Sequence, residues 1–171
     1  MGRHSTDGLD SFHTDWRLDP IGTARRGEHP LLLATMRSGW AVMGDTQFLT
    51  GYALLLSNVE GASHLTDLTR SQRADFLVDL GLLGEAVMTV CNSLDPSLRR
   101  LNYEIPGNRS YLHAHVFPRY GWEEELLAQP VWSYPADRWT SPRDAYSYEH
   151  EPLRAAIAKE LHRIISEPYG R

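Results

Sequence analysis

The stretch Ser110-Tyr111-Leu112-His113-Ala114-His115-Val116-Phe117-Pro118-Arg119-Tyr120 decides the fold of this 171-residue chain. Aromatic and apolar residues predominate in it, which predicts a β-strand whose side chains alternate between two faces. The apolar residues between the histidines then face the core, whereas Tyr111, His113 and His115 share the opposite face. Two neighbouring imidazoles are poor packing material, so a chemical role is expected for them.

Three interpretations of the histidine pair compete. The first is two hydrogen-bonded side chains on a partly exposed sheet face, and the second is a metal site with neutral imidazole ligands. The cupin metal motif, which has a similar His-x-His, needs a glutamate shortly afterwards, where this chain has Arg119 or Tyr120. Cys91 is the only cysteine, so one chain cannot supply a zinc cluster of several cysteines. No metal ligand is therefore assigned.

The third interpretation is covalent catalysis by an imidazole. A neutral ring nitrogen of His113 can attack phosphorus and hold the group as a phosphoramidate, which divides one difficult displacement into two easier steps. His115 can then hydrogen-bond the reacting phosphate. Pro118 is expected to end the strand in a rigid turn, and Arg119 then places a fixed positive charge that suits an anionic substrate.

The segment from Leu112 to Arg119 resembles the active-site strand of the histidine triad (HIT) superfamily. That strand carries alternating histidines separated by apolar residues, followed by Pro-Arg in the branch that cleaves dinucleoside polyphosphates. The resemblance implies that His113 is the nucleophile and that His115 supports the phosphate. Tyr111 stands at the first histidine position of the triad, which in the family helps to set the orientation and tautomer of the nucleophile.

Residues 40–56 resemble the entry hairpin of the same family, with Thr50-Gly51-Tyr52 where Pro-Gly-His is usual. The resemblance implies that Tyr52 and Tyr111 lie close together near the nucleophile and contact the substrate. Asp45 and Gln47 fall in the hairpin loop where relatives contact the nucleoside, and they are expected to bond ribose hydroxyls. The alternative is that Asp45 is a turn residue and Gln47 an exposed side chain.

Upstream of the histidines, residues 102–108 resemble the strand and phosphate loop of the family. The resemblance implies phosphate contacts by Asn102 and Asn108, and Asn108 would share with His115 the charge that develops on the phosphate. Three short segments together are typical of a bacterial subgroup described as diadenosine tetraphosphate hydrolase-like. They are Gly-Asp-Thr-Gln at 44–47, Asn-Tyr-Glu at 102–104 and Leu-His-Ala-His at 112–115.

The order of predicted elements is strand, strand, helix, strand, strand, with no βαβ alternation, which indicates an α+β fold. We expect an antiparallel sheet of about five strands with one long helix and one C-terminal helix. Thr69 and Gln72 have the form of a capping box, and the apolar stripe beyond them predicts a helix of some 20 residues. The predicted organisation is a flexible arm over residues 1–18 and a single HIT-like domain over 19–171, with its core match at 40–119.

The extension over residues 120–171 differs in composition from the part of the chain before it. Glu123 to Glu125 predict a solvated helix start, and an aromatic-rich, proline-broken segment follows. Its aromatic residues either cover the core or a partner chain, or else Trp132 or Trp139 stacks on a nucleobase. Pro152 to Ile165 predict an amphipathic helix.

Composition limits the function classes. The chain is 42% hydrophobic and 23% charged with a formal net charge of −5, so it lacks the basic surplus of nucleic-acid-binding proteins. A single cysteine fits a reducing compartment. The sequence shows neither a signal peptide nor a membrane-spanning apolar run, so no membrane partner and a cytoplasmic location are expected.

These observations predict a nucleotide hydrolase that cleaves a phosphoanhydride or phosphoramidate of a nucleoside through a covalent His113 intermediate. The alternatives are a nucleotidyltransferase or phosphorylase with the same chemistry, and a nucleotide-binding module without turnover. No cofactor is expected to be required, and Mg²⁺ would arrive with the substrate phosphates. The resemblance also implies a homodimer. Because His113 must be neutral, activity should fall below a pH of about 6.5.

Overall fold

The computed structural model describes residues 16–167, so residues 1–15 of the predicted arm and residues 168–171 lie outside the described part. Within it the strands are β1 (Leu32–Thr35), β2 (Gly39–Met43), β3 (Ala53–Ser57), β4 (Leu98–Glu104) and β5 (His113–Tyr120). The α-helices are α1 (Pro20–Arg25), α2 (Arg70–Leu94), α3 (Ala136–Thr140) and α4 (Glu151–Ser166). Short 3₁₀ helices occupy Leu65–Asp67, Gly121–Ala128, Val131–Ser133 and Tyr148–His150. None of the helices within 16–167 combines the length and apolarity needed to cross a bilayer.

The five strands form one antiparallel sheet in the order β1-β2-β3-β5-β4. The predicted α+β architecture, with five strands, one long helix and one C-terminal helix, is therefore confirmed. β5 runs through Pro118 to Tyr120, so the predicted strand end at Pro118 is wrong. The pairing with β3 stops at Val116, so the missing N–H of Pro118 leaves no gap in that ladder.

One face of the sheet is covered by α2 and α4. Leu112, Ala114 and Val116 of the decisive stretch are fully buried there, in one cluster with the apolar stripe of α2. That stripe contains Phe76, Leu80, Leu83, Val87 and Cys91. The predicted alternation of β5 is confirmed, and it leaves the histidines on the opposite face.

The predicted capping box at the start of α2 is also present. The Thr69 N–H donates to Gln72 Oε1 at 2.9 Å, and the Gln72 N–H donates to Thr69 Oγ1 at 3.3 Å. Each bond satisfies a backbone amide that the first turn of a helix leaves without a partner. The helix that follows is 25 residues long.

The loop between β2 and β3 delivers Tyr52 to the histidine face. Gly51 has a φ of +90°, and a Cβ built on it would lie 2.2 Å from the Cys91 sulfur. A glycine is therefore required there by both backbone conformation and close packing against α2. The turn allows β3 to begin at Ala53 with Tyr52 buried just before it.

The segment after β5 folds back over the histidine face. Val131 and Tyr134 are buried there against Phe48, Tyr52 and Phe117, and Trp139 packs at the edge of the same cluster. The expectation that these aromatic residues cover the core is confirmed for Tyr134 and Trp139. Trp132 differs from them, because 48% of it remains exposed.

Candidate active site

β5 presents its two histidines side by side on the face opposite α2. The His113 and His115 rings lie 5.0 Å apart between centroids, and both side chains are buried. Leu56 of β3 lies opposite His113 in the sheet, and Glu104 of β4 lies opposite His115. Alternation along one strand and the register with its two neighbours thus fix the pair in place.

The main chain holds the His113 ring in one tautomer. Its Nδ1 lies 3.1 Å from the carbonyl oxygen of Tyr111, and a carbonyl can only accept a hydrogen bond. Nδ1 therefore carries the proton, and Nε2 keeps a free lone pair. Burial lowers the pKa of His113, against a smaller opposing effect of the bond to Tyr111, so the ring is neutral near pH 7. The Tyr111 carbonyl thus sets the tautomer of His113, and the Tyr111 ring packs 5.3 Å from the His113 ring between centroids.

The hydroxyl of Tyr52 holds the second histidine. Tyr52 Oη lies 2.7 Å from His115 Nδ1, and both side chains are buried. Burial lowers the pKa of His115 to about 3, and burial raises the pKa of Tyr52 well above 10. Both groups are therefore neutral at physiological pH. With the Tyr52 hydroxyl as donor, Nδ1 of His115 accepts and Nε2 carries the proton.

The two nitrogens thus offer complementary chemistry. His113 presents an unprotonated Nε2, which can act as a nucleophile, and His115 presents an Nε2–H, which can donate to an oxyanion. Neighbouring imidazoles with the same tautomer could not provide both functions.

A cleft of about 260 Å³ opens beside the pair. Val42, Leu54 and Leu56 contribute apolar surface, and Asp45 and Arg109 contribute opposite charges. The other lining residues are Trp16, Arg17, Pro20, His29, Met43, Tyr52, Tyr111, His113 and His115. Two larger surface cavities, of about 490 and 530 Å³, contain no histidine among the described residues that line them. Apolar walls combined with convergent polar groups are common in small-molecule sites, and this cleft has both in similar measure.

The structure brings five of the sequence-predicted site residues together at this cleft: His113, His115, Tyr52, Tyr111 and Asp45. Tyr52 and Tyr111 do share the space near His113. The hydrogen-bond partner of Tyr52, however, is His115. The Asp45 carboxylate lies 3.7 Å from Arg17 Nε in an exposed ion pair.

The Arg119 side chain does not reach the cleft, where its charge was expected to meet an anionic substrate. Its side chain is fully buried in an ion pair with Glu123, with a distance of 2.8 Å from Nε to Oε2. The remaining guanidinium nitrogens donate to the carbonyls of Gln129 and Leu126. Every nitrogen of Arg119 is occupied, so a structural role replaces the expected substrate contact. The predicted solvated helix start is also wrong at Glu123, since that side chain is buried as the counter-ion.

Gln47 is likewise occupied by the backbone. Its buried side-chain amide donates to the carbonyls of Gly44 and Tyr52 at 2.9 and 3.0 Å, and its Oε1 accepts from the Gly51 N–H. Gln47 therefore fastens the loop that carries Tyr52, and it is neither the expected ribose ligand nor the exposed alternative.

Neither asparagine lines the cleft. Asn102 lies on β4 opposite Phe117 and is half-buried, and Asn108 is exposed in the loop between β4 and β5. The neighbour of Asn108 does reach the site, because Arg109 lines the cleft and its charge lowers the pKa of His115 after the larger effects of burial and His113.

Sequence reasoning missed Arg109, Trp16 and His29 as cleft residues. Trp16 and His29 pack together with ring centroids 4.9 Å apart, and the Trp16 indole nitrogen is buried without a hydrogen-bond partner among the described residues. Burial lowers the pKa of His29 to about 4. The available signal for Arg109 was its place in the loop directly before the histidine strand. Across residues 16–167, no group of three His, Cys, Asp or Glu side chains is arranged to hold a metal ion.

Three solved structures with a similar fold are each described as histidine triad proteins. A histidine triad protein from Marinobacter aquaeolei VT8 aligns with a TM-score of 0.57 and 20% identity, over 78% of this chain and 89% of that one. A histidine triad protein from Sinorhizobium meliloti 1021 aligns at 0.59 and 16%, over 76% and 88% of the two chains. A hypothetical histidine triad nucleotide-binding protein from Sulfolobus tokodaii strain 7 aligns at 0.60 and 12%, over 88% and 98%. The sequence itself matches no protein-family model and no curated relative. The chain therefore has the fold of the histidine triad proteins.

Proposed function

We propose that this chain is a nucleotide hydrolase of the histidine triad superfamily, in the subgroup similar to diadenosine tetraphosphate hydrolases. The observation that carries the proposal is the tautomer of His113. The Tyr111 carbonyl keeps the proton on Nδ1, so Nε2 is free to attack in a cleft that has apolar walls and charged groups of both signs. The fold shared with histidine triad proteins supports the same assignment.

The substrate is proposed to be a dinucleoside polyphosphate or a nucleoside phosphoramidate. Apolar Val42 and Leu56, with Trp16 at the wall of the cleft, suit a nucleobase. The Asp45 carboxylate can accept from ribose hydroxyls, and Arg109 supplies the positive charge for phosphate that Arg119 cannot. Asn102 and Asn108 stay proposed phosphate contacts from outside the cleft lining.

The first chemical step forms a bond from His113 Nε2 to the α-phosphorus and breaks the bond from that phosphorus to the leaving group. The leaving group departs with the electron pair of the broken bond. His115 donates its Nε2–H to a phosphate oxygen as charge builds, which is the kind of electrostatic stabilisation that dominates phosphoryl-type transfers. The product of this step is a nucleotidyl group on His113.

In the second step a water oxygen attacks the same phosphorus and loses a proton to the solvent. The phosphorus–nitrogen bond breaks, its electrons return to Nε2, and the mononucleotide leaves. If inorganic phosphate replaced water, the same step would yield a nucleoside diphosphate, and the chain would be a phosphorylase. No cofactor is proposed to be required, and Mg²⁺ is proposed to enter with the substrate phosphates.

A product screen tests this function. Dinucleoside tri- and tetraphosphates and adenosine 5′-phosphoramidate are incubated in ¹⁸O-labelled water, with and without inorganic phosphate, and the products are identified by mass spectrometry. We expect ¹⁸O in the mononucleotide, and loss of turnover in His113→Ala. His162→Ala is the matched control, because His162 is exposed on α4. Full activity in His113→Ala would end the proposal, and binding without turnover in the wild type would favour the binding module.

We also propose a cytoplasmic homodimer. β4 is an edge strand of the sheet, so its outer backbone groups are available for pairing with a second copy. Light scattering after gel filtration would show twice the monomer mass if the proposal is right and the monomer mass if it is wrong.

A further inference from the structure

The aromatic extension brings one indole next to the histidine pair. The Trp132 ring lies 5.6 Å from the His115 ring and 5.8 Å from the Phe117 ring, measured between centroids. Trp132 is not among the residues that line the cleft. His115 therefore borders the cleft and also contacts Trp132.

Trp132 is held in place from two directions. Burial raises the pKa of the Glu104 carboxyl, and the neighbouring Trp132 side chain and Val131 backbone lower it by less, so the 3₁₀ helix Val131–Ser133 lies next to Glu104 of β4. The Trp139 ring is stacked on Trp132 at 4.9 Å between centroids. Despite these contacts, 48% of Trp132 is exposed. A fixed but accessible indole beside a reacting centre is suited to stacking on a planar ligand.

We propose that Trp132 is the stacking platform for the nucleobase of the leaving nucleotide. This inference rests on the proposed function, and it selects the dinucleoside polyphosphates as the substrate class. The nucleoside that becomes bound to His113 occupies the cleft of Trp16 and Asp45. The phosphate chain then passes His115, and the second base stacks on Trp132.

The spacing suits a polyphosphate bridge. The steps from the His113 ring to His115 and from His115 to Trp132 are 5.0 and 5.6 Å between centroids. A phosphoramidate has no second base and cannot span them. Base–aromatic stacking tolerates any base, so the second site should distinguish dinucleotides from mononucleotides more strongly than one base from another.

The test compares two substrates in variants of the full-length chain. We would measure kcat/KM for diadenosine tetraphosphate and for adenosine 5′-phosphoramidate, whose leaving group carries no base. Trp132→Ala should lower kcat/KM for the dinucleotide by about tenfold to a hundredfold and leave the phosphoramidate value unchanged. Trp132→Phe, which keeps an aromatic face, should recover most of the loss.

Trp122→Ala is the matched control. Trp122 is 47% exposed and stacked on Tyr120, as Trp132 is on Trp139, but it contacts neither histidine. It should change neither substrate's kcat/KM.

Equal losses for both substrates in Trp132→Ala would overturn the proposal and show that the indole only supports His115. No loss for either substrate would overturn it as well. A wild type that turns over the phosphoramidate but not the dinucleotide would refute the subsite and leave nucleotidyl transfer standing. A wild type that turns over neither would refute the proposed function, and the subsite with it.

Discussion

Replacing Tyr52 with phenylalanine removes one hydroxyl that lies 2.7 Å from His115 Nδ1 and leaves the aromatic ring in place. Tyr52 and His115 are 5% and 7% exposed, so water cannot readily replace the lost donor. Leaving a buried acceptor without a partner costs about 1–3 kcal/mol of the free energy of unfolding. A domain of this size has about 5–15 kcal/mol in total, so Tyr52→Phe should still fold.

The larger consequence of Tyr52→Phe concerns the tautomer of His115. Without the hydroxyl, nothing keeps the proton on Nε2, and the donor aimed at the phosphate is lost from part of the population. A hydrogen bond to a charged group is worth about 1.5–3 kcal/mol, which corresponds to a kcat lowered about tenfold to a hundredfold. The expected signature is a fall in kcat with a smaller change in KM.

Two measurements check this prediction. Turnover of a dinucleoside polyphosphate gives kcat, and ¹⁵N NMR of the imidazoles shows which nitrogen of His115 carries the proton. Tyr120→Phe is the matched control, because it removes a hydroxyl that donates to the Thr50 carbonyl at 2.6 Å on the core side. It should lose similar stability and keep its kcat. The reasoning would be refuted by an unchanged kcat in Tyr52→Phe together with a proton that stays on His115 Nε2.

Three further predictions follow from the electrostatics of the described residues. Burial lowers the pKa of His113, so the neutral nucleophile persists in more acidic solution and the acid limb of kcat/KM should lie below pH 6.5; a limb at or above 6.5 in a pH–rate profile would contradict this. Arg109→Ala removes a charge that lowers the pKa of both histidines, so it should move that limb upward and raise KM for phosphate substrates, whereas an unmoved limb would mean that Arg109 is remote from the pair in solution. Glu123→Gln leaves the buried Arg119 guanidinium without its counter-ion and should lower the free energy of unfolding, measured by denaturant titration, by about 3–5 kcal/mol. A change in that free energy of less than about 0.5 kcal/mol would show that the ion pair is dispensable.

Local patterns predicted the parts of the fold that local physics controls. Successive strand residues point to opposite sides. Leu112, Ala114 and Val116 therefore pack in the core, and the histidines lie on the other face. The capping box at Thr69 and Gln72 and the apolar stripe of α2 were readable for the same reason, since each depends on residues three or four positions apart.

The site was predicted less completely because its contacts connect distant parts of the chain. Arg119 lies on the same strand face as the histidines because β5 continues past the predicted end at Pro118, but the segment after β5 folds back and buries it against Glu123. No spacing within the strand indicates that return. The positive charge of the cleft comes from Arg109, ten residues earlier, in a loop whose conformation has no periodicity to read.

Tyr52 and Tyr111, which the resemblance places at histidine positions of the family, show what the sequence could predict and what it could not. The resemblance predicted their place near His113, and both line the cleft with it. Their roles required the structure. The Tyr111 contribution to the His113 tautomer comes from its carbonyl, which any residue could supply, while Tyr52 acts through its hydroxyl on His115 across 63 residues of sequence.

The most direct test of the central claim is to trap the covalent intermediate. A dinucleoside polyphosphate is mixed with the wild type, the reaction is quenched within its first turnovers at alkaline pH, and the protein is digested for mass spectrometry and for phosphorus-31 NMR. We predict a nucleotidyl group on His113, bound through nitrogen, and none on the same peptide of His113→Ala. Turnover by the wild type with no labelled peptide, or a label on His115 in place of His113, would contradict the assignment of His113 as the nucleophile.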